Sequence, residues 1–411
     1  MKHMRIVFTL LLFLLPTIHF AGNRIYVPQI KSLQAVVNQD WLSPAIMRLE
    51  SNDLLLVSFD ELSHDYHRYI YRLEHCETDW SPSDELFESD WLEGFNNNVI
   101  DDFKRSINTT VAYTHYQLTI PNDMCLIKMS GNYRLHVIDE DSGSEVLSVE
   151  FMVTEQTMAL STSATSNTDI DTNECHQQIS FSIKYGNFSV IDPQKQLQTL
   201  VMQNNREDNW RWNVTPSAVS YNGLEWNHRK DLIFDSGNEY RKFEVLSTSH
   251  PTMGIDHIFW DGDYFQAFPF VDEPRPNYLY DEDANGCFYI RNSDNIENDI
   301  TSDYVWVNYR LKSPYPPLGD IVINGRWTTG KPETYQMTYD EDEQLYRCRI
   351  LQKQGYYSYQ YLLITDDGLS HPLPSEGNFY QTENRYQVLV YYKGIGERTW
   401  RLVAYNQLLM Q

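Results

Sequence analysis

The sequence predicts an all-β protein built from immunoglobulin- or fibronectin III-like β-sandwich domains in series. Three observations carry that expectation. Short stretches alternate apolar and polar residues with period two, as Tyr69, Tyr71 and Leu73 do on one strand face. Pro, Gly, Asn and Asp punctuate these stretches at close intervals, as turns between strands require. The stretch from about Glu174 to Ser313 carries no apolar repeat of an amphipathic helix of respectable length. The 29 Tyr and 10 Trp add to the β-favouring balance. A chain of 411 residues exceeds what one hydrophobic core usually serves, so two or three domains are expected.

In chain order, Lys2 and Arg5 precede the apolar run Ile6 to Leu15, and a short segment leads to Ala21-Gly22. That pattern reads as a cleaved secretory signal over residues 1–21, too short to span a bilayer, so the mature chain is expected to be exported and soluble. No cysteine follows the run, so a lipoprotein anchor is not expected, and no membrane insertion is expected either. Residues 22–157 form the first expected sandwich, with strands at Leu54–Phe59, Tyr69–Leu73, Tyr113–Ile120, Tyr133–Val137 and Val146–Val153. The small polar residues Ala159 to Asn173 are the best linker candidate. A second β-rich region is expected over 158–313. The rigid Pro314-Tyr315-Pro316-Pro317 then marks a hinge into a third sandwich over 314–411.

The long connection between Tyr69–Leu73 and Tyr113–Ile120 stands out. It holds Trp80, Trp91 and Phe95, which bury well and are costly on a loop open to water. Long connections are functional or braced by their own packing. Trp80, Trp91 and Phe95 are therefore the candidate partner-binding residues, the competing reading being that they fold inward as a brace.

The formal charge of −25 argues against nucleic acid or an anionic membrane surface as partner. Catalytic signatures are missing: no GxSxG elbow, no HExxH and no glycine-rich phosphate loop. The chain is expected to be no enzyme and to use no cofactor. No metal site is expected. His64, His67, His75 and Cys76 crowd together, but His64 and His67 diverge on an extended chain and no second pair completes a zinc set. Asp281 to Gly286 opens like a calcium loop, yet Asn292 stands where a bidentate Glu belongs. Five cysteines cannot all pair within one monomer; Cys76 and Cys125 either bridge or stay as buried thiols.

Two resemblances remain. Asn324-Gly325-Arg326-Trp327, Met337-Thr338-Tyr339-Asp340 and Gly355-Tyr356-Tyr357 are similar to early-set sandwiches that bind α-glucans, where Trp327 could be the sugar platform; an ordinary sandwich with these aromatics in its core is the favoured reading, and a glycan-binding module is the alternative function. The broader likeness runs through His75-Cys76-Glu77-Thr78-Asp79-Trp80-Ser81-Pro82-Ser83, Gly94-Phe95, Ser106-Ile107-Asn108-Thr109, Tyr113-Thr114-His115-Tyr116 and Ser130-Gly131-Asn132-Tyr133. It continues through Asn238-Glu239-Tyr240-Arg241-Lys242-Phe243, Asp283-Ala284-Asn285-Gly286, Asp303-Tyr304 and Glu376-Gly377-Asn378-Phe379-Tyr380. This ordered string resembles the plug protein of the Bacteroidetes type IX secretion system. One departure is Thr399-Trp400, where that family more often has Tyr-Asp. The resemblance implies a non-enzymatic periplasmic protein whose partner is the outer-membrane translocon barrel, with its periplasmic mouth sealed while no substrate passes.

Overall fold

The computed structural model describes residues 22–410 apart from residue 367. The expected secretory signal over residues 1–21 lies outside them. Strands account for 48% of the described residues and helix for 5%, so the chain is all-β, and its sheets pack face to face around separate apolar cores. Among the described residues no helix is long and apolar enough to cross a membrane.

The first body follows the period-two pattern closely. Tyr69–Cys76, Gly131–Asp139 and Glu145–Thr154 form one antiparallel ladder. Ile30–Val37, Leu55–Glu61, Thr114–Ile120 and Asp102–Arg105 form the facing one. Tyr69, Tyr71 and Leu73 point inward while Arg72 faces water. Phe59 stacks on Tyr116 and meets Tyr69 edge-on, and Tyr133 stacks on Phe151, so aromatic pairs fill the space between the sheets.

The second body is assembled from distant segments. His176–Lys184 pairs with Ala159–Thr165 and Gly223–Trp226 on one sheet. The facing sheet joins Leu197–Gln203 to the last two strands, Asn384–Tyr392 and Arg401–Met410. Between them the chain makes a third body, in which Arg241–Val245 pairs with Gly355–Ile364, and Tyr304–Lys312 pairs with Leu345–Lys353. One ten-stranded sheet unites the first two bodies, because Glu145–Thr154 meets Arg401–Met410 at Thr154 and Leu402.

Two sequence expectations change. Ala159 to Asn173 is not a free linker, because Ala159–Thr165 is a strand whose small polar residues suit the outside of a sheet. Pro314 to Pro317 is not a hinge between sandwiches: it joins two strands of the third body, Tyr304–Lys312 and Asp320–Asn324, which share one core. The strand pairing thus runs across residue 313, and the crossings between the second and third bodies fall near residues 236–240 and 376–383. Proline marks exposed loops as readily as hinges, and sequence order does not show that a late strand returns to an early sheet.

Candidate functional site

A short turn begins the long connection, with Glu77 donating its N–H to Ser81 and Trp80 donating back to Glu77. Trp80 takes a left-handed φ of 64°, which turns its indole toward the neighbouring body. There it is 3% exposed, among Met152, Leu200, Met202, Leu389, Tyr391 and Leu402. Trp91, 6% exposed, ends the one-turn helix Glu88–Trp91 and packs edge-on against Tyr133 in the core of the first body. Phe95 is different: it is 68% exposed. The structure therefore does not bring the three together. Trp80 and Trp91 are braces, the inward reading, and only Phe95 remains available to a partner.

Phe95 is held out by a two-stranded ribbon, Leu92–Gly94 against Cys125–Ile127. Gly94 has φ +112°, and a Cβ there would come within 2.1 Å of the Met124 carbonyl oxygen, so only glycine lets the ribbon close. Phe95 donates its N–H to that same oxygen, and Met124 and Leu126 are exposed beside it. The result is a rigid apolar tip on the first body.

The family-like strings converge at the contacts between bodies. Between the first and third, Asp60 lies fully buried and accepts hydrogen bonds from Lys353 Nζ (2.6 Å), His115 Nδ1 (2.6 Å) and Tyr304 Oη (2.7 Å). Lys353 also sits over the Tyr113 ring at 4.2 Å and donates to the Asp299 carbonyl. Burial pushes the Asp60 carboxyl up, but the charge of Lys353 and the bond from His115 outweigh it and hold it below its ordinary value. Nearby, Asp303 accepts from the Thr110 N–H and hydroxyl and from the Val111 N–H.

The crossings into and out of the third body are clasped in the same way. Arg241 reaches Glu376 with two N–H groups and Asp272 with a third, Asp272 also accepts from Tyr359 and Tyr361, and Asn238 donates to the Glu376 carbonyl. Between the first and second bodies, Thr399 donates to Glu77 and meets Ser83, whose hydroxyl bonds His75. The departure from the family pattern at Thr399 thus makes a specific contact of its own.

The remaining sequence candidates separate. His64 bonds Ser106, His67 pairs with Glu61 and His75 bonds Ser83, so the three crowded histidines face different partners. Burial raises the Cys76 thiol to about 12. All five cysteines are free. In the acidic turn, Asp281 is bound by Lys242, and Asp283, pushed up to about 7 by burial, accepts from the N–H groups of Tyr240 and Asn285. Trp327 is 8% exposed, with its indole N–H donated to Ser358 and its ring among Tyr309, Tyr335 and Tyr357. It is a core residue and not a sugar platform.

One surface escaped the sequence reading. Ile255–Trp260 is an edge strand paired on one side only, with Phe265–Pro269. It exposes Phe259 and Trp260, and His257 and Phe259 stack against Phe268. The signal for this hairpin was Asp261-Gly262-Asp263 between two aromatic stretches.

A family model described as the first domain of the type 9 secretion system plug protein matches residues 30–155. The whole chain is similar to a hypothetical protein from Parabacteroides merdae, known from a crystal structure at 2.30 Å: identity is 36%, the TM-score is 0.91, and 95% of this chain and 99% of that one are covered. The C-terminal domain of the Streptococcus pyogenes antigen I/II-family protein AspA matches at 7% identity with a TM-score of 0.18, covering 92% of this chain and 99% of that one, and carries no argument. No curated protein matches. The matched domain contains the Trp80–Phe95 connection and the first body's side of its contacts with the other two, and the chain belongs to the type IX secretion system plug protein family.

Proposed function

We propose that this chain is a periplasmic, non-enzymatic protein that binds the outer-membrane type IX translocon barrel and seals its periplasmic mouth. The family match over residues 30–155 carries this reading. The architecture supports it: a body that blocks a pore wide enough for folded proteins must resist deformation, and here three bodies are cross-locked by a shared sheet and buried polar clasps. The acidic surface suits a soluble protein that avoids non-specific contacts. The glycan-binding alternative has lost its platform residue to the core.

Docking by the rigid tip that carries Phe95 makes a sharp prediction. Phe95→Ala weakens binding to the barrel by about 2 kcal/mol, as truncation of an interface anchor does. Because the ring is already in water, the melting temperature stays at the wild-type value. Tagged protein recovered from its own host brings down a very large outer-membrane barrel. Absence of that barrel, from a host that encodes one, overturns the function; recovery at wild-type strength with Phe95→Ala overturns only the docking site.

A further inference from the structure

The tip of the hairpin between Ala159–Thr165 and His176–Lys184 is folded tightly on itself. Thr168 Oγ1 donates to the Asp171 carboxylate at 2.9 Å and accepts the Asp171 N–H at 3.0 Å, and Asn173 takes a left-handed φ of 54°. This turn aims three donors at one point. His176 Nδ1 lies 2.6 Å from Asp171 Oδ2, and Cys175 Sγ lies 3.4 Å from that oxygen and 3.3 Å from that nitrogen.

Two chemistries use these residue types, and the geometry separates them. A Cys–His–Asp relay for nucleophilic attack needs the thiol and the carboxylate on opposite ring nitrogens. Here a carboxylate, Asp235, does flank the far nitrogen, but the Asp171 carboxylate at 2.6 Å shares Nδ1 with the thiol and takes the proton that a relay needs Nδ1 to accept from sulfur. Convergence of three ligand atoms on one spot is what coordination of a cation requires. The Cys175–Asp171 and Cys175–His176 separations already match the tetrahedral edge of about 3.4 Å set by zinc–ligand bonds of about 2.0–2.3 Å.

The other ring nitrogen completes the pattern. His176 Nε2 faces Asp235 Oδ1 at 3.5 Å, and Asp235 is itself held by Asn378 Nδ2 at 2.9 Å. A carboxylate beside the far nitrogen favours the tautomer with its proton on Nε2, the one in which Nδ1 can give its lone pair to a metal in place of its contact with Asp171. One thiolate and one carboxylate neutralise a dication, and a mixed S, N, O set suits zinc, whereas calcium and magnesium take oxygen.

We propose that Asp171, Cys175 and His176 bind a zinc-class divalent cation, with Asp235 orienting the histidine and a fourth position open to water at this half-exposed tip. Binding releases the Cys175 thiol proton, and any proton on His176 Nδ1, to solvent. The site lies against both crossings of the chain, since Ser236 donates to the Cys175 carbonyl and Tyr380 to the Glu174 carbonyl. A bound ion therefore ties the hairpin to the segments that lead into and out of the third body.

Cobalt(II) added alone to the purified mature chain tests this. One equivalent should give a thiolate-to-cobalt charge-transfer absorption that zinc displaces. Cys175→Ser should abolish it, while Cys348→Ser, at the other half-buried thiol, keeps it. Asp235→Asn should weaken zinc affinity by about 10–100-fold, as loss of an outer-shell partner does. If Cys175→Ser does not fold, His176→Gln with an unchanged circular dichroism spectrum is the equivalent test. No charge-transfer band in the wild type, or a band that survives in Cys175→Ser or in a folded His176→Gln, overturns the proposal.

Discussion

Lys353→Met lowers the stability of the chain by about 3–5 kcal/mol, the cost of removing one partner of a buried ion pair. Lys353 is 1% exposed and Asp60 is fully buried, so water cannot replace the lost ammonium. Asp60 would keep only His115 and Tyr304, two bonds that satisfy its lone pairs but do not supply the same charge. Because the pair joins the first body to the third, the loss falls on their contact as well as on each core. The double variant Asp60→Asn, Lys353→Met should recover much of the stability, since removing both charges leaves neither stranded. Chemical denaturation of the wild type, the single and the double variant decides the matter. A single variant within about 1 kcal/mol of the wild type, less than the net worth of one ordinary hydrogen bond to a charged group, would show that the pair is idle.

The same pair gives a direction with pH. The Asp60 carboxyl is held below its ordinary value of 3.8, so its contribution is complete above that value and is lost as the pH falls through the lower folded value. The advantage of the wild type over Lys353→Met therefore shrinks in acid.

Trp80→Ala is expected to cost about 3–5 kcal/mol, because a fully packed indole leaves a cavity its rigid neighbours cannot fill. Those neighbours come from both bodies: Met152 from the first, and Leu200, Leu389 and Leu402 from the second. Trp91→Ala should cost a similar amount, but inside the first core alone, beside Tyr133. Calorimetry distinguishes the two sites, since damage at the shared seam lets the bodies melt apart while damage in one core does not. A Trp80→Ala variant that melts with the wild type would return Trp80 to the list of surface anchors.

The legible part of the sequence was local. Alternation at Tyr69, Tyr71 and Leu73 marked one inward face, and the strand Tyr69–Cys76 keeps it. The fate of Trp80 was not legible, because it depends on Leu389 and Leu402, more than 300 positions away. Trp327 was expected in a core, but its partner there was not legible: nothing near it in the sequence shows that Ser358 will accept its indole proton. The donors Asp171, Cys175 and His176 were masked by the small polar residues before them, whose composition resembles that of a linker even where it forms a strand.

The placement of the last two strands has a consequence for biogenesis. Leu197–Gln203 pairs early only with the two-residue strand Arg211–Trp212 and cannot fill its other side until Asn384–Tyr392 has emerged, and the segment between them is long enough to form a complete body first. A nascent or truncated chain that stops short of residue 384 leaves two sheets with bare, apolar flanks. Contacts so distant in sequence close slowly, so the sheet that joins the first two bodies is among the last parts of the fold to form.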